Sequence, residues 1–346
     1  MGYAFVATRD SGDIAVVDLA AFALEKSRIK PSGRPVQLLD VPNSGYFYTV
    51  GENGVVEEVS VAESVISRKL KIPVTPHDVC LSADTKTLWA LSADGRKLLS
   101  IDRELLAVSR EWALPERASA IATSPETAHV AVALADSPRV GILTSPATPD
   151  LAWATVGDPP GLIRYLKNGS MLVVAQKEKR QLTMVDSAAA KVVVHLPLPI
   201  QPENLCFSAD GGQLFITGEG LDGVVVVYPF QSQVASTLLS GKAPGPMAVS
   251  SQPQFLFVTS PSTDTVSVLD IRTQKLAAVV AVGNDPRCVV LTPDNQMALV
   301  LNRRSGDIAI IRLANIVSKR HKTAPLFTLI PVGSAPVAAV VRSASA

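Results

Sequence analysis

The chain is short of several things that would each point to a function. It has three cysteines, Cys80, Cys206 and Cys288, widely spaced and without a C-x-x-C pair, which excludes a disulfide framework and a zinc cluster and leaves small buried apolar residues. It has no charge of one sign to spare: Lys and Arg number 32 against 31 Asp and Glu, a net +1, so nothing attracts a polyanion such as nucleic acid or an anionic membrane surface. Only 18% of residues are charged and 5% aromatic. No apolar run reaches the roughly 20 residues of a spanning helix, since long uncharged stretches such as 223–241 contain Pro, Gln and Ser. Met1-Gly2 leads straight into the strand-like Tyr3-Ala4-Phe5-Val6 with no charged leader, the pattern of a cytoplasmic protein or of one whose signal peptide has been removed. What is present is 47% hydrophobic residues in 346, ample for a folded core and long enough for several domains or one closed β-architecture.

A repeat decides between those two. Pro76-His-Asp-Val-Cys-Leu-Ser-Ala-Asp84, Pro202-Glu-Asn-Leu-Cys-Phe-Ser-Ala-Asp210 and Pro286-Arg-Cys-Val-Val-Leu-Thr-Pro-Asp294 each combine a proline, an apolar strand and an S/T-x-D turn. Such anchors fall at positions 35, 76, 118 (Ala118 in place of proline), 160, 202, 244, 286 and 336, with steps of 41, 42, 42, 42, 42, 42 and 50. Sixteen residues after an anchor a second apolar strand ends in a small or polar residue, as at Gly51, Ser92, Gln176, Gly218, Ser260 and Asn302. A third strand often ends in aspartate, at Asp102, Asp186 and Asp270, and a fourth follows, as in 276–283. Four short strands per 42 residues, joined by Gly, Pro, Asp and Ser turns, make one blade of a β-propeller.

The seven intervals give seven complete blades. The remainder, three strands within 1–34 and one in Pro336-Val-Ala-Ala-Val-Val-Arg342, complements itself. The expectation is therefore an all-β, eight-bladed propeller over 1–346, its ring closed by a blade shared between the termini, which leaves no open sheet edge at the junction. Seven blades would need a period near 49, which the anchors lack.

These residues resemble the bacterial YVTN β-propeller repeat proteins. The strand that names that family corresponds to Phe257-Val-Thr-Ser260, Phe215-Ile-Thr-Gly218 and Phe5-Val-Ala-Thr8, followed by D-x-(V/I)-x-V-(L/V)-D in Asp264 to Asp270 and a similar run in Asp13 to Asp18. The resemblance implies a fold and little about activity, because its members include binding proteins, surface proteins and enzymes. It also implies export, hence a periplasmic or extracellular location. Eight blades with split closure further resemble the haem-binding propeller of cytochrome-type nitrite reductases and its relatives in that cofactor's maturation.

In a propeller the connections between blades, and those between second and third strands, share one face and form a cup. Residues near the anchors or seventeen to twenty-one after them belong there, including Arg9, His77, Glu203, Asp285, Arg287 and Arg304, interspersed with Asp222, Asp264 and Arg303. His77 follows an anchor directly and is a candidate general base or axial haem ligand. His129, His195 and His321 occupy other repeat positions, so no multi-histidine metal site is expected. Arg164 stands where the other units carry Leu39, Cys80, Ala122, Cys206, Ala248, Val290 and Val340. A guanidinium there needs a partner or the open channel, where it would hold a carboxylate or phosphate. The last unit exceeds the period in 315–324, whose Lys319, Arg320 and Lys322 form a basic loop on the face opposite the cup.

No G-x-S-x-G, H-E-x-x-H, Walker loop or calcium loop occurs. The leading expectation is a non-enzymatic, monomeric module that binds a small molecule or protein at its cup without a cofactor. The alternatives are a tetrapyrrole (haem-type) binding or maturation protein and, last, a lactonase-like hydrolase built on His77 and Glu203.

Overall fold

Eight four-stranded antiparallel sheets stand side by side in sequence order around an axis. The structure is a computed structural model that describes residues 2–72, 76–317 and 324–343, without the side chains of residues 76 and 77. Blade 1 is the shared one: strands Gly2–Thr8, Asp13–Asp18 and Ala23–Ile29 run outward, and Pro336–Ser343 adds the innermost strand along Gly2–Thr8. Blades 2 to 8 follow over 35–71, 76–113, 118–155, 162–197, 201–239, 247–281 and 286–331. The eight-blade expectation and its closure hold.

The sequence pattern follows from where each strand sits. Second and third strands have neighbours on both faces and are mainly apolar, as in Phe255–Ser260 and Met297–Asn302, buried at every position. Outer strands have one wet face and alternate: Lys191–Pro197 and Gln233–Leu239 are half-buried on every second residue and exposed on the others. The apolar side chains sort into eight clusters, one at each interface between successive blades. Ring closure carries two of them. Phe5 and Val16 of blade 1 pack with Phe47 and Val59 of blade 2, while Val6 and Val17 pack with Leu299 and Ile310 of blade 8.

One departure from the expected pattern is local. A five-residue helix, Leu313–Val317, follows the third strand of blade 8 and begins the long loop. The basic residues Lys319, Arg320 and Lys322 of that loop lie outside the described residues, as does His321.

Candidate functional site: the cup over blades 6 to 8

The anchors become β-bulges. In six blades the inner strand's register slips by one directly after the anchor, between Pro35 and Gln37, Pro76 and Asp78, Ala118 and Ala120, Pro202 and Asn204, Pro286 and Cys288, and opposite Ala7/Thr8 at Pro336. Proline has no N–H to give the ladder, and the next residue is the unpaired one, so its side chain is released from strand alternation. That residue is His77 in blade 3, Glu203 in blade 6 and Arg287 in blade 8; Ser119 holds it in blade 4, and its buried hydroxyl lacks a partner. Blades 5 and 7 have Gly161 and Gly245 there. The position singled out by spacing is thus the bulge residue at the rim of the cup. His77 belongs to a described strand, but its side chain lies outside the described residues.

The depression is off-centre. A cavity of about 920 Å³ lies over blades 6, 7 and 8, bounded by Glu203, Gly218, Glu219, Asp222, Pro244, Asp264, Asp285, Arg287 and Arg304. A second, of about 740 Å³, adjoins it through Asp285, Arg287 and Arg304 and continues past Arg303 and Gly306 to Asp10 and Gly333 of the closure. Glu203, Asp285, Arg287 and Arg304 are therefore brought together. Arg9 stays outside both depressions, its Nε bound to Glu52 Oε1 at 2.7 Å. Arg164 also lines neither.

The cup carries both signs of charge, with Asp285 and Asp10 among the arginines of its blade 8 side. Over blades 6 and 7 lie Glu203, Glu219, Asp222 and Asp264, and over blade 8 lie Arg287, Arg303 and Arg304. Lys177 Nζ donates to Glu203 Oε1 at 2.7 Å and stands 3.9 Å from Glu219 Oε2; these carboxylates raise the lysine's pKa. Asp264 accepts from the backbone N–H of Asp285 at 2.9 Å and from Asn284 Nδ2 at 2.7 Å. Those two bonds, with the charge of Arg304, hold its carboxyl below the usual carboxylate range. Asp285 sits at φ +57° and accepts from Arg287 Nε at 2.7 Å. Arg303 and Arg304 are exposed, and among the described residues neither has a carboxylate within ion-pairing distance. Attraction for a ligand of mixed charge is what this arrangement provides.

Glu219, seventeen residues after its anchor, and Asp10 were within reach of the spacing rule without being singled out by residue type. The Pro244-Gly245-Pro246 wall was marked only by the anchor at 244, because backbone that shapes a cavity carries no chemical signal in sequence. Among the described residues no three of His, Cys, Asp or Glu are grouped to hold a metal ion.

No protein-family profile matches the chain, so the YVTN-type resemblance has no family match behind it. No curated protein is similar to it in sequence. Solved structures are similar in fold. A dihydro-heme d1 dehydrogenase, NirN, in complex with DHE, matches with a TM-score of 0.82 at 13% identity over 98% of this chain and 75% of its own. A functionally unknown protein from Desulfotomaculum acetoxidans matches at 0.64 and 9% identity over 99% of both chains. Kuenenia stuttgartiensis hydrazine synthase matches at 0.60 and 16% identity over 78% of this chain and 90% of its own.

Proposed function

We propose that this chain is a non-enzymatic binding module of YVTN-repeat type, exported to the periplasm or cell exterior, whose cup over blades 6 to 8 takes a ligand or protein segment carrying both signs of charge. The observation that supports it is that Glu203, Glu219, Asp222 and Asp264 and the unpaired Arg303 and Arg304 line one continuous depression. The test uses labelled hexalysine and hexaglutamate peptides in fluorescence anisotropy at low salt. Both are expected to bind; Glu219→Gln weakens hexalysine alone and Arg304→Ala weakens hexaglutamate alone, each roughly two- to fivefold, as exposed single charges do. If neither peptide binds, or both variants weaken both peptides alike, the cup reading fails.

A second reading, binding of a haem-type tetrapyrrole, is favoured by one observation: the ring superposes over 98% of its length on a protein solved in complex with DHE. Haem titration followed in the Soret region tests it. A saturable spectral change that His77→Ala abolishes supports an axial histidine; a spectrum equal to that of free haem removes the reading. No observation favours the lactonase-like alternative.

A further inference from the structure

Arg164 lies on the inner strand of blade 5, Leu162–Tyr165, away from both depressions of the cup. It is four residues past position 160, at most about 13 Å along an extended chain from the rim. It is also two residues before Leu166, where the turn on the opposite face begins with Gly169 N–H donating to Leu166 O. Its register partner is Val173, the equivalent of Trp89 opposite Cys80 and of Phe215 opposite Cys206. At that level the seven other blades carry only apolar residues or cysteine.

The guanidinium is poorly satisfied for such a place. Among the described residues it donates one hydrogen bond, Nη1 to the Ile163 carbonyl at 2.8 Å, and no carboxylate stands within 4 Å. Arginine has five N–H donors in a planar fork. The protein shows elsewhere what a matched inner-strand arginine looks like. Arg342 of blade 1, with an 11% exposed side chain, binds Asp40 Oδ1 at 2.6 Å and the carbonyls of Val41 and Tyr46 at 2.8 and 2.9 Å. Arg164 is instead exposed. Its charge is felt across two blades: burial chiefly, then Asp78, pushes the Cys80 thiol up to about 12, and Arg164 opposes them. Arg164 is exposed on the innermost strand of its blade, the edge of the sheet that lines the axis.

We propose that Arg164 is a binding site for one small oxyanion, a carboxylate or inorganic phosphate, at the end of the axial channel opposite the cup. The fork offers paired N–H groups to two oxygens of such a group, and among the described residues no carboxylate within 4 Å already occupies it. The site is separate from the cup and does not depend on what the cup binds.

Thermal unfolding in sodium acetate, sodium phosphate and sodium chloride at matched ionic strength tests this. A ligand that binds only the native state raises the midpoint saturably. The wild type is expected to show such a rise in acetate or phosphate over chloride, and which of the two salts produces it tells carboxylate from phosphate. Arg164→Leu and Arg164→Gln should each weaken the apparent affinity at least about tenfold. Arg304→Ala, which tests the cup, should leave the rise intact. An equal rise in the two Arg164 variants, or none over chloride in the wild type with either salt, overturns the proposal.

Discussion

Glu58 and Arg164 are both charges set into an otherwise apolar repeat, and only one of them was legible. Arg164 breaks a position that seven units agree on. Glu58 lies in Val55–Ser60, the third strand of blade 2, beside another buried acid, and the spacing assigns neither a role. Its partners come from outside its own strand: Tyr48 Oη donates to it at 3.1 Å, Ser67 Oγ at 2.8 Å and Arg68 Nη2 at 2.5 Å. Arg68 also reaches the Glu104 carbonyl of blade 3 at 2.7 Å, so the cluster ties two blades together. Burial raises the pKa of Glu58, but the bonds from Arg68, Ser67 and Tyr48 outweigh it and the net shift is downward. A carboxyl lowered in the folded state stabilises above its unfolded pKa, and that stabilisation is lost as pH falls through the folded one. Glu58→Gln is therefore expected to lower unfolding free energy by about 1–3 kcal/mol at pH 7, with the gap to wild type closing below the ordinary carboxylate range. Urea melts of both proteins at pH 7 and pH 3 measure this; a gap that does not shrink contradicts it.

At the scale of one strand, the bulge is what the repeat encodes without displaying. The anchor prolines were legible as punctuation, and the residue after each was legible as a place of interest. That the pair forms a bulge is decided by the partner strand, which must accept a slipped register. In blade 6 the partner supplies a glycine: a Cβ on Gly218 would stand 1.8 Å from the Gln201 carbonyl oxygen and 2.9 Å from the Glu203 nitrogen. Both are backbone atoms at the bulge. Gly218→Ala is expected to destabilise by roughly 1–3 kcal/mol, the cost of forcing volume into a packed site, and to displace Glu203 from Lys177. Circular-dichroism melts read the first effect and the weakened hexalysine binding of the cup reads the second; a neutral substitution would show that the strands separate freely here.

For the whole molecule, closure is the least redundant contact. Removing Pro336–Ser343 takes away the inner strand of blade 1, exposes the ladder of Gly2–Thr8 and empties the places of Val340 and Val341. Burial of each valine contributes about 1.5–3 kcal/mol, so a chain ending at Ala335 loses several kcal/mol of a total on the order of 5–15. Its new edge is a template for pairing between copies. Scattering or size-exclusion chromatography should show association above the wild-type size; a monomeric truncation melting with wild-type cooperativity would mean the ring does not need its closure.

Blade number, strand order and the shared first blade were fixed by sequence alone, because each blade is a local unit of about 42 residues whose apolar pattern repeats and whose neighbours are its neighbours in the chain. The position of the cup over three blades, its two-signed lining and the partners of Arg9, Arg164 and Glu58 were settled by tertiary structure. The cup and the Arg9–Glu52 pair depend on side chains from different blades meeting around an axis, where distance is set by the curvature of the closed ring and not by separation along the chain, and the Glu58 cluster on strands of one blade brought into register.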